Sequence, residues 1–164
     1  MDYKISQRAK NVKPSPTLAV TARAAALRAE GKKIIGVGAG EPDFDTPEHI
    51  KQAAIQALSE GMTKYTPVAG TPELIQAIID KFSNENNLQY EKSQILVSCG
   101  AKHSCYNIMQ ALLNDDDEVI IPAPYWVSYP DMARLAGAEP VILKSGIEQD
   151  FKITKSGETG IQIW

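Results

Sequence analysis

Four short segments of this chain carry residue types that could do chemistry. In Cys99-Gly100-Ala101-Lys102, a glycine and an alanine directly follow an apolar run and open a helical one. Such a turn leaves backbone N–H groups uncovered at the positive end of a helix, which holds a phosphate or another anion without a cationic side chain. Lys102 adds charge in the first turn. On its own, a segment of this kind is more often an ordinary strand-to-helix turn. Ala123-Pro124-Tyr125-Trp126 places two aromatics after a second apolar run, where a flat heteroaromatic ligand could stack. Taken alone, Tyr125 and Trp126 are more commonly hydrophobic plugs. Lys64-Tyr65, flanked by Thr63, Thr66 and Pro67, reads as a solvated loop. Gly36-Val37-Gly38-Ala39-Gly40 invites comparison with a dinucleotide fingerprint, but Glu41 stands where the third glycine belongs, and Pro42 and Asp43 delay any helix. Neither nucleotide fingerprint is met.

The other reactive residue types point to less. His49 and His103 are the only histidines and lie too far apart in sequence to suggest a metal pair. His103, one residue past the anion loop, reads as polar lining. Cys99 and Cys105 lack zinc or redox spacing. Asp115-Asp116-Asp117-Glu118 directly precedes a strand pattern and reads as a solvated turn, so no metal is expected.

These segments need elements to hold them. Residues 1–13 are polar, and Pro14 and Pro16 interrupt regular structure, so the start reads as an arm. Thr17 to Glu30 is rich in helix-forming Ala, Leu and Arg, with Gly31 as its stop. Lys33 to Val37 is a strand candidate. Thr46-Pro47-Glu48 opens a helix with Ile50, Ala53, Ala54, Ala57 and Leu58 at helical spacing, closed by Gly61. Thr71-Pro72-Glu73 repeats that start, and Leu74, Ile78 and Phe82 form its stripe. Gln94 to Ser98 reads as a buried strand, Ser104 to Leu113 as a helix and Glu118 to Ile121 as a strand. Tyr129 to Ala136 reads as a short helix, and Pro140 to Leu143 as a last strand. Strands separated by helices predict βαβ units and a largely parallel sheet. Ligands of such sheets sit at the carboxyl ends of strands, which selects the loops 99–103 and 122–128. An unfinished edge on three adjacent strands would expose backbone donors, so partial folding or association is expected unless another chain covers it.

Bulk properties exclude several classes. The chain has 164 residues, 43% hydrophobic and 23% charged, with a formal net charge of −3, which describes a globular chain rather than a disordered or fibrous one. A mildly acidic chain with four arginines lacks the footprint of a nucleic-acid binder. No stretch approaches the ~20 apolar residues of a membrane span. Met1-Asp2-Tyr3-Lys4 has no apolar run behind it as a signal peptide would, and two cysteines make no disulfide framework. A cytoplasmic setting is expected.

Taken together, the motifs resemble a known family. Gly38-Ala39-Gly40-Glu41-Pro42-Asp43-Phe44-Asp45-Thr46-Pro47, then Lys64-Tyr65, Gly100-Ala101-Lys102 and Pro122-Ala123-Pro124-Tyr125-Trp126-Val127-Ser128-Tyr129-Pro130 resemble the class I pyridoxal-phosphate aminotransferases. Within them the resemblance is to the bacterial aspartate aminotransferase branch, some of whose members also act on prephenate. It runs in register from about Ile5 to Ile153.

That resemblance implies an α/β fold: the N-terminal part of a fold type I large domain with a mainly parallel sheet. Residues 1–47 would be an arm and a piece of the small domain, and residues 48–164 an incomplete large domain. It implies pyridoxal 5′-phosphate as cofactor, amino-acid and 2-oxo-acid substrates, and a homodimer, with neither nucleic acid nor membrane as partner. Gly40 would offer its N–H to the substrate α-carboxylate. Gly100, Ala101 and Lys102 would cradle the cofactor phosphate, and Trp126 would stack on the pyridine ring beside the substrate. Tyr65 would reach the neighbouring subunit's phosphate. Lys13 and Lys102 occupy positions linked to dicarboxylic substrates. The implied reaction converts L-aspartate and 2-oxoglutarate to oxaloacetate and L-glutamate, with a protein lysine as Schiff-base partner and general base.

The chain departs from the family after Thr154. Lys155-Ser156-Gly157-Glu158-Thr159-Gly160-Ile161-Gln162-Ile163-Trp164 resembles none of the family's continuation, and no lysine lies in its serine-rich Schiff-base segment. Smaller departures are His103, where glutamine is common, and Asp115-Asp116 in place of a Pro-Gly turn. No catalytic residue is therefore assigned. The expectation is a truncated form inactive alone, with a non-catalytic cofactor-binding or interaction module, or a functionless frame-shifted product, as alternatives.

Overall fold

The computed structural model describes residues 4–38 and 40–153. Ala39 of the glycine turn and the divergent tail from Thr154 onward lie outside the described residues. Among the described residues, six helices and two strands follow one another: α1 (Gln7–Lys10), α2 (Pro16–Ala29), α3 (Glu48–Ser59), α4 (Pro72–Asn86), α5 (Ala101–Leu112), β1 (Glu118–Ala123), α6 (Ser128–Leu135) and β2 (Glu139–Lys144). Short 3₁₀ turns occupy Lys92–Gln94 and Ile147–Gln149. The chain parts into two compact units at Gly36 and Gly100. One joins the residues up to Gly36 with those from Ala101 onward, and the other is Val37–Gly100.

The first unit is built on a parallel β1–β2 pair in register from Glu118↔Glu139 to Ala123↔Lys144. Parallel neighbours cannot be joined by a tight turn, so the chain crosses over through α6. Pro130, Met132 and Ala133 form the buried side of α6, which packs on both strands. Pro130 falls in the first turn, where a missing N–H leaves no hydrogen bond unmade. From the strands, Ile121 and Leu143 complete this core, with Ala138 leading into β2. α5 packs against α6.

The second unit holds α3, α4 and the 3₁₀ turn at Lys92–Gln94. The side-chain oxygen of Thr71 accepts the Leu74 N–H (3.3 Å) and Pro72 occupies the first turn, so α4 starts as its sequence predicts. α3 starts one residue later than expected: Pro47 sits at the cap position and Glu48 opens the helix. The Glu48 carboxylate accepts from the Gln52 amide (2.7 Å) and pairs with Lys51 (2.9 Å). These contacts, the Gln52 bond first, hold it below the ordinary carboxylate pKa. The only buried apolar residue described in this unit is Ile75.

Two sequence expectations are corrected. Lys33 to Val37 forms no strand, and Val37 is 92% exposed. Gln94 to Ser98 is neither strand nor fully buried: Leu96 is 60% exposed, and the Val97 N–H makes a single bond to the Ala69 carbonyl (2.9 Å). Apolar β-branched sequence favours an extended chain, but a strand exists only as a ladder with a neighbour. Among the described residues no segment lies alongside either stretch as a ladder partner. Two strands are paired instead of the three or more expected. No helix among the described residues is long and apolar enough to cross a membrane.

Because so few apolar side chains are buried, each should matter. Leu143→Ala removes packing between β2 and α6 and should cost about 2–5 kcal/mol. Leu112→Ala, at a position 72% exposed, should stay within about 0.5 kcal/mol. Urea titration of both variants checks the contrast; equal effects would show that the core lies elsewhere.

Candidate functional site

Within the first unit, Lys102 from one of the loops selected from the sequence meets Trp126 from the other. α5 has twelve residues and so runs about 18 Å, while the six residues of β1 run back about 20 Å. Near-equal lengths return the end of β1 to the level at which α5 began. There the Lys102 ammonium lies 4.5 Å from the centroid of the Trp126 ring. An ammonium over an indole face is attracted by the ring's negative quadrupole, at about 0.5–1 kcal/mol in exposed settings.

At the α5 end, the helix leaves the N–H groups of its first turn without intrahelical acceptors, and that turn begins Ala101-Lys102. Gly100 precedes it with φ +87°, and its own N–H turns back to the Ser98 carbonyl (2.8 Å). A Cβ there would meet open space, so the positive φ, rather than crowding, is what calls for glycine. The resulting donor set is a helix N-terminus with one ammonium beside it, a combination that suits a phosphate or carboxylate.

At the β1 end, Ser145 donates to the Ala123 carbonyl twice, from its hydroxyl (2.7 Å) and from its N–H (3.3 Å). Both bonds fix the point from which Pro124, Tyr125 and Trp126 leave the sheet. Trp126 is held edge-to-face against Tyr129, with centroids 5.6 Å apart and planes at 80°. It remains 43% exposed, enough for a flat ring to reach it. Tyr129 and Ser145 are the supporting residues that sequence reasoning missed. The three-residue spacing of Trp126 and Tyr129 at a helix start was the available signal for the first; nothing local marked the second.

The remaining candidates are placed as follows. Lys13 is exposed in the segment between α1 and α2 of the same unit. Gly40 and Tyr65 belong to the Val37–Gly100 unit, where both are exposed. His103 is exposed in the first turn of α5. The acidic run forms a turn in which the Asp117 carboxylate accepts the Asn114 N–H (2.6 Å), and no group of three or more His, Cys, Asp or Glu side chains among the described residues could hold a metal.

The chain is similar to known proteins over most of its length. The family profile described as aminotransferase class I and II matches residues 32–157. An aspartate/prephenate aminotransferase of Nitrosomonas europaea is 61% identical over 92% of this chain and 38% of its own length. An aspartate aminotransferase of Bacillus subtilis is 50% identical over the same shares, 92% and 38%. The chain thus spans about two-fifths of the length of these relatives, at their N-terminal portion. Among solved structures, the aspartate aminotransferase from Rhizobium meliloti matches with a TM-score of 0.90 at 47% identity, over 95% of this chain and 39% of that one. The aspartate aminotransferase from Thermus thermophilus with maleate matches at 0.88 and 46% identity, over 93% and 40%.

Gly100 offers a direct check on the local geometry. Gly100→Ala places a side chain at φ +87° and should destabilise the chain by about 1–2 kcal/mol. Gly40→Ala, with open space and no positive φ, should be neutral or stabilising by up to about 1 kcal/mol. Thermal unfolding of the two variants measures the difference; a harmless Gly100→Ala would contradict the described turn.

Proposed function

The chain belongs to the class I and II aminotransferases, and from that membership we propose that it forms the N-terminal cofactor-binding part of a pyridoxal 5′-phosphate-dependent aspartate aminotransferase. The observation that carries this reading is the Lys102–Trp126 contact, which sets an anion-binding helix start beside an exposed aromatic face. A phosphorylated pyridine would use both features, its phosphate at the helix start and its ring on the indole.

The division of labour follows from the residues. Ala101 and Lys102 bind phosphate oxygens through the α5 N-terminus, and Gly100 gives the chain its turn into the helix. Lys102 adds an ammonium, which rests on the Trp126 ring. Trp126, braced by Tyr129, presents an indole face to the ring and excludes water from one side of it. When bound, the cofactor supplies the electron sink that makes α-proton loss from an amino acid accessible. Gly40 offers a backbone N–H to a substrate carboxylate, and Lys13 a charge for a second carboxylate, which accords with L-aspartate and 2-oxoglutarate as substrates. Tyr65, fully exposed, is available to the phosphate of a neighbouring subunit in a homodimer. In the whole protein, residues 1–47 would be arm and small-domain piece and residues 48–164 large domain, in a cytoplasmic enzyme. The roles proposed for these residues are binding roles, none of them a general base for the α-proton, so binding of the cofactor is what this reading assigns to residues 1–153.

Equilibrium dialysis of pyridoxal 5′-phosphate against the purified chain and its Trp126→Ala variant tests this. The expected result is saturable binding weakened roughly tenfold or more by the variant, since stacking on an aromatic is worth about 1–3 kcal/mol by the measure of base stacking. The chain should show no turnover of aspartate with 2-oxoglutarate. Absence of saturable binding, or equal binding by the variant, would overturn the reading; turnover would overturn the assignment of binding roles alone.

A further inference from the structure

Lys102 stands in two places at once: it opens the helix whose N-terminus would take an anion, and its ammonium lies on the Trp126 ring. Resting on the proposed cofactor reading, we infer that the Lys102 ammonium occupies the stacking face of Trp126 until an anionic ring ligand displaces it.

Because Lys102 belongs to the first turn of α5, the indole face it covers is the face turned toward that helix start. A ligand tethered by an anion at the α5 N-terminus brings its ring to the same face. Ammonium and ring cannot both sit there, because the 4.5 Å separation leaves no room for an aromatic ring between them. The edge of the indole is already taken by Tyr129, so Trp126 cannot rotate away without losing that contact. Lys102 must therefore leave the ring as the ligand arrives. A ligand with a phosphate gives the displaced ammonium a new partner, and a charge-assisted bond replaces the lost ring contact. A ring without a phosphate displaces the ammonium and offers nothing in return. Lys102 thus favours phosphorylated over unphosphorylated rings in two ways, by attracting the first and by competing with the second.

That double role separates Lys102 from a simple phosphate ligand. The probes are pyridoxine 5′-phosphate and pyridoxine, which share a ring and lack an aldehyde that would react with surface lysines. Binding of each to the full chain is measured by calorimetry for the wild type, Lys102→Gln and Lys102→Arg. Lys102→Gln should weaken pyridoxine 5′-phosphate binding about tenfold, yet tighten pyridoxine binding about two- to fivefold, the value of the ring contact it removes. Lys102→Arg, which keeps a cation for the ring, should bind pyridoxine as the wild type does. A second readout needs no ligand: with Trp164→Phe leaving Trp126 as the one tryptophan, Lys102→Gln should raise acrylamide quenching of its fluorescence. Unchanged or weaker pyridoxine binding by Lys102→Gln, or unchanged quenching, would overturn the inference while leaving the cofactor reading intact. Failure of the wild type to bind pyridoxine 5′-phosphate would overturn both.

Discussion

Parallel pairing of β1 with β2 is the constraint on which the site depends. Two parallel strands must be joined by a crossover, and here α6 fills that role by burying Met132 and Ala133 against Ile121 and Leu143. The crossover commits the chain leaving β1 to pass through Pro124–Val127 at the carboxyl end of the strand. The double hold of Ser145 on the Ala123 carbonyl fixes where that passage begins. With α5 matched in length to β1, the start of α5 comes to the same end. The start of α5 and an exposed indole then become neighbours.

The helices were largely legible in the sequence, because their signals are local. Thr71-Pro72 starts α4 through a side-chain cap, as its spelling predicts, whereas α2 begins at Pro16, read from the sequence as an interruption, with Ser15 as its cap. β1 and β2 were found and came out longer by one or two residues at their ends. The misses at 33–37 and 94–98 have a different cause. Ile34, Ile35 and Val37, or Ile95, Leu96 and Val97, are good strand residues, but pairing is a property of two segments and no window of one sequence reports it. Of these, Ile35, Val37 and Leu96 are exposed, and Ile34, Ile95 and Val97 are half-buried. They read as surfaces that a strand neighbour would complete.

For the candidate site, residue types were readable and contacts were not. Gly100, Ala101, Lys102 and Trp126 stood out because anion loops and exposed aromatics have compositional signatures. The meeting of Lys102 with Trp126 depends on three-dimensional lengths that propensities do not encode. The same limit hid Tyr129 and Ser145, whose work is to hold Trp126 and the end of β1. Membership in the class I and II aminotransferases was legible in long ordered motifs, and the family match at residues 32–157 spans the same segments.

The central claim is that the α5 N-terminus and the Trp126 face are two halves of one binding site. An NMR titration of the ¹⁵N-labelled chain with pyridoxine 5′-phosphate tests it most directly, through the amides of Ala101 and Lys102 and the indole N–H of Trp126. The account predicts that all three signals move along one isotherm with a single midpoint. Separate midpoints, or an indole signal that stays still while the amides move, would contradict it.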